Sequence, residues 1–398
     1  MPVGTPFHER TFALCESLSY REWSGYYTVS AYETHHEHEY NAIRNAAALI
    51  DISPLFKYAI AGRDAARLVD RVITRNLSRL TPGRVVYTPW CDERGKVIDD
   101  GTVARLDERR FRWTAAEPTL RWLHQNAAGL EVTIDDVSER VAALALQGPL
   151  SAHVLRAAGA DIDTLRYFHV TSTRVGGIDV DVSRTGYTGD LGYEVWMPAS
   201  RALEIWDVLM RAGGSFAITP AGMLALDVAR AEAGLLLMDV DFHGARKAMN
   251  EGQQYTPYEM GLGRLVDLDT PPFVGRDALV AAAANVPPRM IVGLEIDWDD
   301  VERLHAGTGL VPVAPAAASR VPVPVMRGRR QIGRATTTAW SPMLKRLIAL
   351  ATLDAPHYAL GTRVEIEITV DARRLTAGAV VVRTPFFEPA RKTAPPAQ

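Results

Sequence analysis

The spacing of apolar residues constrains the fold most, because its period changes several times along the chain. Residues 55–61 (LFKYAIA) read as a strand. Residues 62–73 (GRDAARLVDRVI) read as a helix in which Ala65, Leu68, Val69 and Val72 form one apolar face. Strands are predicted at 85–90, 101–106 and 111–115, a short helix at 119–128 and a buried strand at 141–147. Another helix starts at Ser151. Strands at 171–175 and 178–183 flank Gly176-Gly177, a tight-turn dipeptide, and helices are expected over 201–212 and 221–231. Strands come in groups with helices set between them, so an α+β arrangement fits better than a βαβ repeat.

The composition shifts after residue 280. Residues 281–288 are small and end in proline, as a linker would, and short strands are expected at 290–296, 321–326, 332–337, 347–352 and 364–370. The Pro-repeating stretch 310–325 (LVPVAPAAASRVPVPV) reads as a semi-rigid loop with edge strands at most. The expected division is therefore residues 1–285, a β-rich domain over 286–392 and a frayed tail over 393–398.

Charge and motifs remove several function classes. Lys plus Arg total 44 against 47 for Asp plus Glu, a formal net charge of −3, which excludes a chain built mainly to hold nucleic acid. Two cysteines, Cys15 and Cys91, cannot make a disulfide framework. The first residues include His8, Glu9 and Arg10, and no run approaches the roughly 18 apolar residues of a membrane helix. A cytoplasmic protein with no membrane partner is expected. Neither a phosphate-binding Gly-rich loop nor a Gly-x-Ser-x-Gly elbow is present, and Gly261-Leu262-Gly263 leads to Val266 rather than completing a dinucleotide fingerprint. Residues 35–39 (HHEHE) match no zinc spacing and read as the polar start of a helix over 39–48, so no metal site is expected.

Two segments carry the candidate chemistry. Residues 87–101 (YTPWCDERGKVIDDG) read as a hairpin whose second strand delivers Asp99 and Asp100 side by side. Strand neighbours point to opposite faces, so one of the two acids faces inward and needs a partner or a purpose. Residues 183–198 (SRTGYTGDLGYEVWMP) interleave Gly186, Gly189 and Gly192 with Tyr187, Asp190, Tyr193 and Glu194. Such glycines let backbone approach a flat ligand on which tyrosines stack, and a strand carboxylate such as Glu194 can accept two parallel hydrogen bonds from an amidine-like edge.

These segments resemble the folate-dependent aminomethyltransferases, the T-protein of the glycine cleavage system and its relatives. Residues 183–196 (SRTGYTGDLGYEVW) resemble the family's signature loop, residues 92–106 (DERGKVIDDGTVARL) its hairpin with an acidic pair, and residues 145–149 (ALQGP) its next strand. Residues 229–235 (ARAEAGL) are similar to its Leu-Arg-x-Glu-x-Gly-x segment, residues 255–279 to the stretch that closes the folate-binding part, and residues 333–344 and 385–391 to its C-terminal barrel. The order is kept from about Trp23 to Lys392.

The resemblance implies a tetrahydrofolate-dependent transferase. Its fold would have three lobes around a central hole: a two-lobed folate-binding region of mixed and antiparallel sheets with helices, and a C-terminal β-barrel. Asp100 matches the acid regarded as catalytic, with Asp99 beside it; relatives that oxidise or demethylate methylated glycines keep only the second acid of the pair. Glu194 matches the pterin-binding acid, Tyr187 lies in the same loop, and Tyr87 and Thr114 fall in strands assigned to the cofactor site. Arg230 matches an arginine that supports folate or orients Glu232.

Departures bear on the substrate. The T-protein branch carries an Asn after the strand at 111–114, where this chain reads Trp113-Thr114-Ala115-Ala116, and an early helical Arg where this chain has Leu226. Residues 22–40 (EWSGYYTVSAYETHHEHEY) are rich in aromatics and histidine. Only five of the 44 cations are Lys, few for docking an acidic lipoyl carrier protein. These features favour a demethylase-type relative that moves a methyl or methylene unit from a small N-, O- or S-methylated substrate to N5 of tetrahydrofolate, with Tyr26, Tyr27, Tyr32, Trp90 and Trp113 as candidate pocket residues. The alternatives are a T-protein acting on the lipoyl carrier protein and a non-catalytic folate binder like the family's iron–sulfur assembly relatives.

Overall fold

The computed structural model describes residues 1–395, so the last three residues of the expected tail lie outside the described residues. Among the described residues the strands form sheets of three, six and five strands and a closed six-stranded barrel. The six-stranded sheet runs Val170–Val175, Ile178–Ser183, Gly192–Pro198, Val141–Gln147, Ala47–Asp51 and Ile218–Pro220, antiparallel except for the last pair. Gly176 and Gly177 have φ of 56° and 83°, the left-handed backbone that the turn between its first two strands requires. One face, with Leu144, Leu146, Tyr193, Val195 and Met197, packs on the helices Ser151–Ala157 and Ala202–Gly213. The other, with Ile50, Ala143, Ala145 and Trp196, packs on Glu37–Asn45 and Met223–Glu232.

The five-stranded sheet is antiparallel throughout, in the order Arg84–Cys91, Val97–Arg105, Arg110–Ala115, Phe56–Ala61 and Thr133–Asp136. Its apolar face buries Tyr58, Ile60, Trp90, Val103, Phe111 and Trp113. The helix Ala65–Val72 covers that face with Ala65, Leu68, Val69 and Val72, the stripe its 3.6-residue period demands. The barrel closes in the order Arg289–Ile296, Arg346–Asp354, Arg330–Ser341, Val323–Arg327, Arg363–Val370 and Arg373–Val382 around its own apolar core.

Two local expectations are corrected, and one strand is not among those expected. The helix expected over 39–48 spans Glu37–Asn45 and gives way to the strand Ala47–Asp51. That strand sits between two neighbours with both faces covered, and a continuous apolar run there carries no period that separates strand from helix. Residues 281–283 of the expected linker finish the helix Arg276–Ala283, as an alanine run favours. The sixth barrel strand, Arg373–Val382, is Arg- and Ala-rich at its start, which hid it from a β-propensity reading.

Candidate active site

Strand alternation sorts the two acids. On Val97–Arg105, Asp99 lies on the face that carries Val103 and, across the register, Trp90. Asp100 lies on the opposite face, with Thr102 and the cross-strand residues Tyr87, Thr114 and Arg112. Asp99 is wholly buried and satisfied by backbone: Oδ1 accepts the Asp100 N–H at 2.7 Å and Oδ2 the Glu117 N–H at 3.1 Å. Burial, and then the neighbouring Asp100 charge, push its carboxyl well above the usual range. Its visible work is to hold the turn at residues 115–119.

Asp100 is half-buried, and its Oδ2 accepts a hydrogen bond from the Tyr87 hydroxyl. Burial raises its carboxyl above the ordinary range while the Tyr87 bond pulls it back. The Tyr187 phenol lies close enough to feel the Asp100 charge, and its hydroxyl donates to the Leu236 carbonyl. The structure thus brings Tyr87, Asp100 and Tyr187 together.

Glu194 belongs to the six-stranded sheet and shares a face with Ser183 and Trp196. It is half-buried. Its Oε2 accepts from Thr185 Oγ1 at 2.6 Å and Ser183 Oγ at 3.4 Å, and burial raises its carboxyl, opposed by Thr185 and then by the Arg112 charge. Arg112 links the two sheets: Nη1 meets Asp181 Oδ2 at 2.9 Å and the guanidinium stacks 4.4 Å from the Trp196 ring centroid. Glu194 therefore presents a carboxylate that, among the described residues, is bonded only to hydroxyls, at the junction of the two sheets. An amidine-like edge fits that donor-poor acceptor. Thr114, next to Arg112 on the site face, is 6% exposed.

The glycines of the signature loop do something other than cradle a ligand. A Cβ on Gly186 or Gly192 would come within 2.1 or 2.2 Å of Gln147 Oε1. They make room for the buried Gln147, whose Nε2 donates to the Thr185 and Tyr193 carbonyls and whose Oε1 accepts from Thr188. Asp190 in the same loop pairs with Arg391, at 2.6 and 2.8 Å, and with Arg44. Gln147, Thr185 and Arg112 are not read as site residues from sequence, and Asp190 is named there only as a member of the loop. A polar residue closing an otherwise apolar strand, as Gln147 does, was the available signal.

Other expected site residues fall elsewhere. Arg230 is fully buried and spent on the protein: Nη1 on Asp241 at 2.8 Å, Nη2 on Thr337 at 3.0 Å, Nε on Asp227 at 3.4 Å. It does not orient Glu232, which is held by Tyr40 at 2.5 Å, Arg44 at 2.6 Å and Ser341 at 2.5 Å. Trp90 and Trp113 lie in the core behind the sheet, edge to face at 4.8 Å, because their strand parity is opposite to that of Asp100. Tyr27 is exposed and packs near His8 and Tyr20, and Tyr32 is buried with Cys15 and Val29. Tyr26 is half-buried opposite Trp23 in the N-terminal hairpin, where its phenol feels Glu139, Asp136 and Asp51.

The chain is similar to known proteins along most of its length. The model of the GCVT N-terminal domain matches residues 7–270, and that of the glycine cleavage T-protein C-terminal barrel domain matches residues 289–388. The chain is 32% identical over 356 residues to an aminomethyltransferase of Caldanaerobacter subterraneus, covering 88% of this chain and 87% of that protein. It is 34% identical over 410 positions to the trimethylamine-oxide aldolase of Ruegeria pomeroyi, covering 99% of this chain but 48% of that protein, so it spans about half the length of this relative. The crystal structure of the glycine cleavage system aminomethyltransferase T from Bartonella henselae has the same fold, with a TM-score of 0.83 at 24% identity, covering 98% of this chain and 99% of that one. The chain belongs to the aminomethyltransferase family of folate-dependent enzymes, with the glycine cleavage T-protein and its relatives.

Proposed function

We propose that this protein is a tetrahydrofolate-dependent one-carbon transferase of the demethylase type. It takes a methyl unit from a small methylated amine, or a methylene unit from the corresponding amine N-oxide, whose N–O bond supplies the two-electron oxidation and whose oxygen leaves as water. The observation that carries the reading is Asp100: a half-buried carboxylate whose side-chain partner is the Tyr87 hydroxyl and which has no lysine or arginine ion pair among the described residues. Such a group favours a cationic ligand, and the flanking tyrosines suit an alkylated ammonium. The similarity to a protein named trimethylamine-oxide aldolase supports an N-methylated substrate among the N-, O- and S-methylated classes.

Glu194 would hold the amino and ring N–H edge of the pterin, and Tyr187 would lie beside it. Tetrahydrofolate supplies the nucleophilic N5 when bound. Asp100 would hold the positive charge of the substrate nitrogen and would accept the proton released as the one-carbon unit is transferred and the amine departs with its electron pair. A second reading, T-protein activity on an aminomethylated lipoyl carrier, is supported by the identity to aminomethyltransferases over 88% of the chain. Incubation with tetrahydrofolate and a panel of methylated amines and their N-oxides, beside a reconstituted glycine cleavage mixture, separates them. A 5-methyl folate formed from an amine, or a methylene folate formed from an N-oxide, supports the proposal. Product only in the glycine cleavage mixture supports the second reading, and tetrahydrofolate bound without any product supports the non-catalytic one.

A further inference from the structure

Three arginines from three segments converge on one buried carboxylate beside the candidate site. Arg21 of the N-terminal hairpin strand Ser19–Trp23 reaches Asp227 Oδ2 at 3.1 Å. Arg320, within the Pro-rich stretch 310–325, clasps both Asp227 oxygens at 2.6 and 2.7 Å. Arg230 approaches Asp227 from the next turn of the helix Met223–Glu232 and is otherwise occupied by Asp241. Three guanidiniums thus share two carboxylates, and one positive charge is left over. The surplus is felt within the group, since the Arg320 and Arg230 charges act against that of Arg21, after burial, which lowers it most.

The leftover charge is reachable. The Arg21 and Arg320 side chains are 23% and 37% exposed, whereas those of Arg230 and Asp227 are at 1% and 4%. Arg21 Nε and Nη2 and Arg320 Nη1 carry no hydrogen-bond partner among the described residues. The cluster also borders the site. Arg21 shares its strand face with Trp23, which packs with Tyr187 on one apolar cluster, and the Asp227 charge is felt by the Tyr187 phenol.

We infer that Arg21 and Arg320 form a carboxylate clamp at the Tyr187 edge of the site, oriented by Asp227, for a ligand that bears a carboxylate. The inference rests on the folate reading above and extends it to the acidic end of a ligand. Two sources offer that chemistry: the glutamyl tail of the folate, or the carboxylate of an N-methylated amino acid. Asp227 keeps both forks in place and cancels one of their two charges, and paired guanidiniums suit a bidentate carboxylate.

The test is calorimetric titration of the full chain and of Arg21→Gln, Arg320→Gln and Arg320→Lys variants, each first shown to melt as the parent does. The probes are tetrahydrofolate against tetrahydropteroate, which lacks the glutamate, and N,N-dimethylglycine against N,N-dimethylethanolamine. A loss of roughly tenfold or more in both Gln variants, confined to tetrahydrofolate or to dimethylglycine and partly restored in the Lys variant, is expected and identifies the source. Equal losses for the carboxylate-bearing and carboxylate-free members of both pairs, or no loss in either, would overturn the clamp while leaving the folate reading intact. If tetrahydrofolate itself does not bind the parent chain, the folate reading fails and the clamp falls with it.

Discussion

The Tyr87 hydroxyl hydrogen-bonds Asp100 Oδ2 across neighbouring strands, on the face of the sheet opposite to its core. That bond is the larger of two hydrogen bonds, the other from backbone, holding down a carboxyl that burial raises, so removing Tyr87 has a predictable sign. Asp100→Asn is expected to lower kcat by roughly 10²-fold or more, with tetrahydrofolate affinity changed only modestly. In Tyr87→Phe the Asp100 carboxyl rises further. The acid limb of the kcat/KM profile, already above the ordinary Asp range near 4, should then move to higher pH. A limb that stays put, or moves down, would show that Asp100 is not the group being titrated.

Glu194 is expected to contribute to ligand binding rather than to turnover. Glu194→Gln keeps the shape but replaces an acceptor pair by a mixed amide, so tetrahydrofolate affinity should fall roughly tenfold to a hundredfold. Equilibrium titration of folate fluorescence measures it. A fall in kcat at unchanged affinity would contradict the assignment.

Arg230 is predicted to matter for the fold. Arg230→Met strands the buried Asp241, which would keep the hydroxyls of Thr336 and Thr337 and the Leu237 N–H but no cation. The expected cost is about 3–5 kcal/mol in urea unfolding. A variant as stable as the parent but unable to bind folate would restore Arg230 to the ligand site.

Lys57 gives a pH signature of its own. It is fully buried, its Nζ donates to the Ser53 carbonyl at 2.6 Å, and burial lowers its pKa to about 8. Between about 8 and the unfolded value near 10.5 the unfolded chain binds the extra proton. The penalty for burying this lysine is thus complete below about pH 8 and fades as pH rises through that window. Lys57→Met removes the penalty, up to about 3 kcal/mol. Its stability advantage over the parent should therefore shrink between pH 7.5 and 9.5, and an advantage that grows would contradict the sign.

Local period and parity carried much of this structure, and long-range partners carried the rest. The stripe of Ala65, Leu68, Val69 and Val72 named a helix because one face alone had to be covered. Ala47–Asp51 was illegible because a strand covered on both faces has no period. At the site, parity showed that Asp99 and Asp100 must diverge, but not which one met the core. That is decided by the backbone of Glu117 and by Tyr87, residues whose proximity a linear reading does not give. Trp90 and Trp113 looked like pocket residues because indoles suit ligands, whereas their parity put them in the core. The fate of Arg230 depended on Asp241 and Thr337, the latter 107 residues away.

The central claim is that this chain moves a one-carbon unit from a small methylated amine to folate. The most direct measurement uses amines and amine N-oxides labelled with ¹³C in the methyl group, tetrahydrofolate and the enzyme, with the folate pool read by mass spectrometry. The account predicts ¹³C in a 5-methyl folate from an amine, or in a 5,10-methylene folate from its N-oxide, matched by the demethylated amine and formed roughly 10²-fold more slowly with Asp100→Asn. Label that remains in every amine and N-oxide tested, while tetrahydrofolate is bound and unchanged, would contradict it.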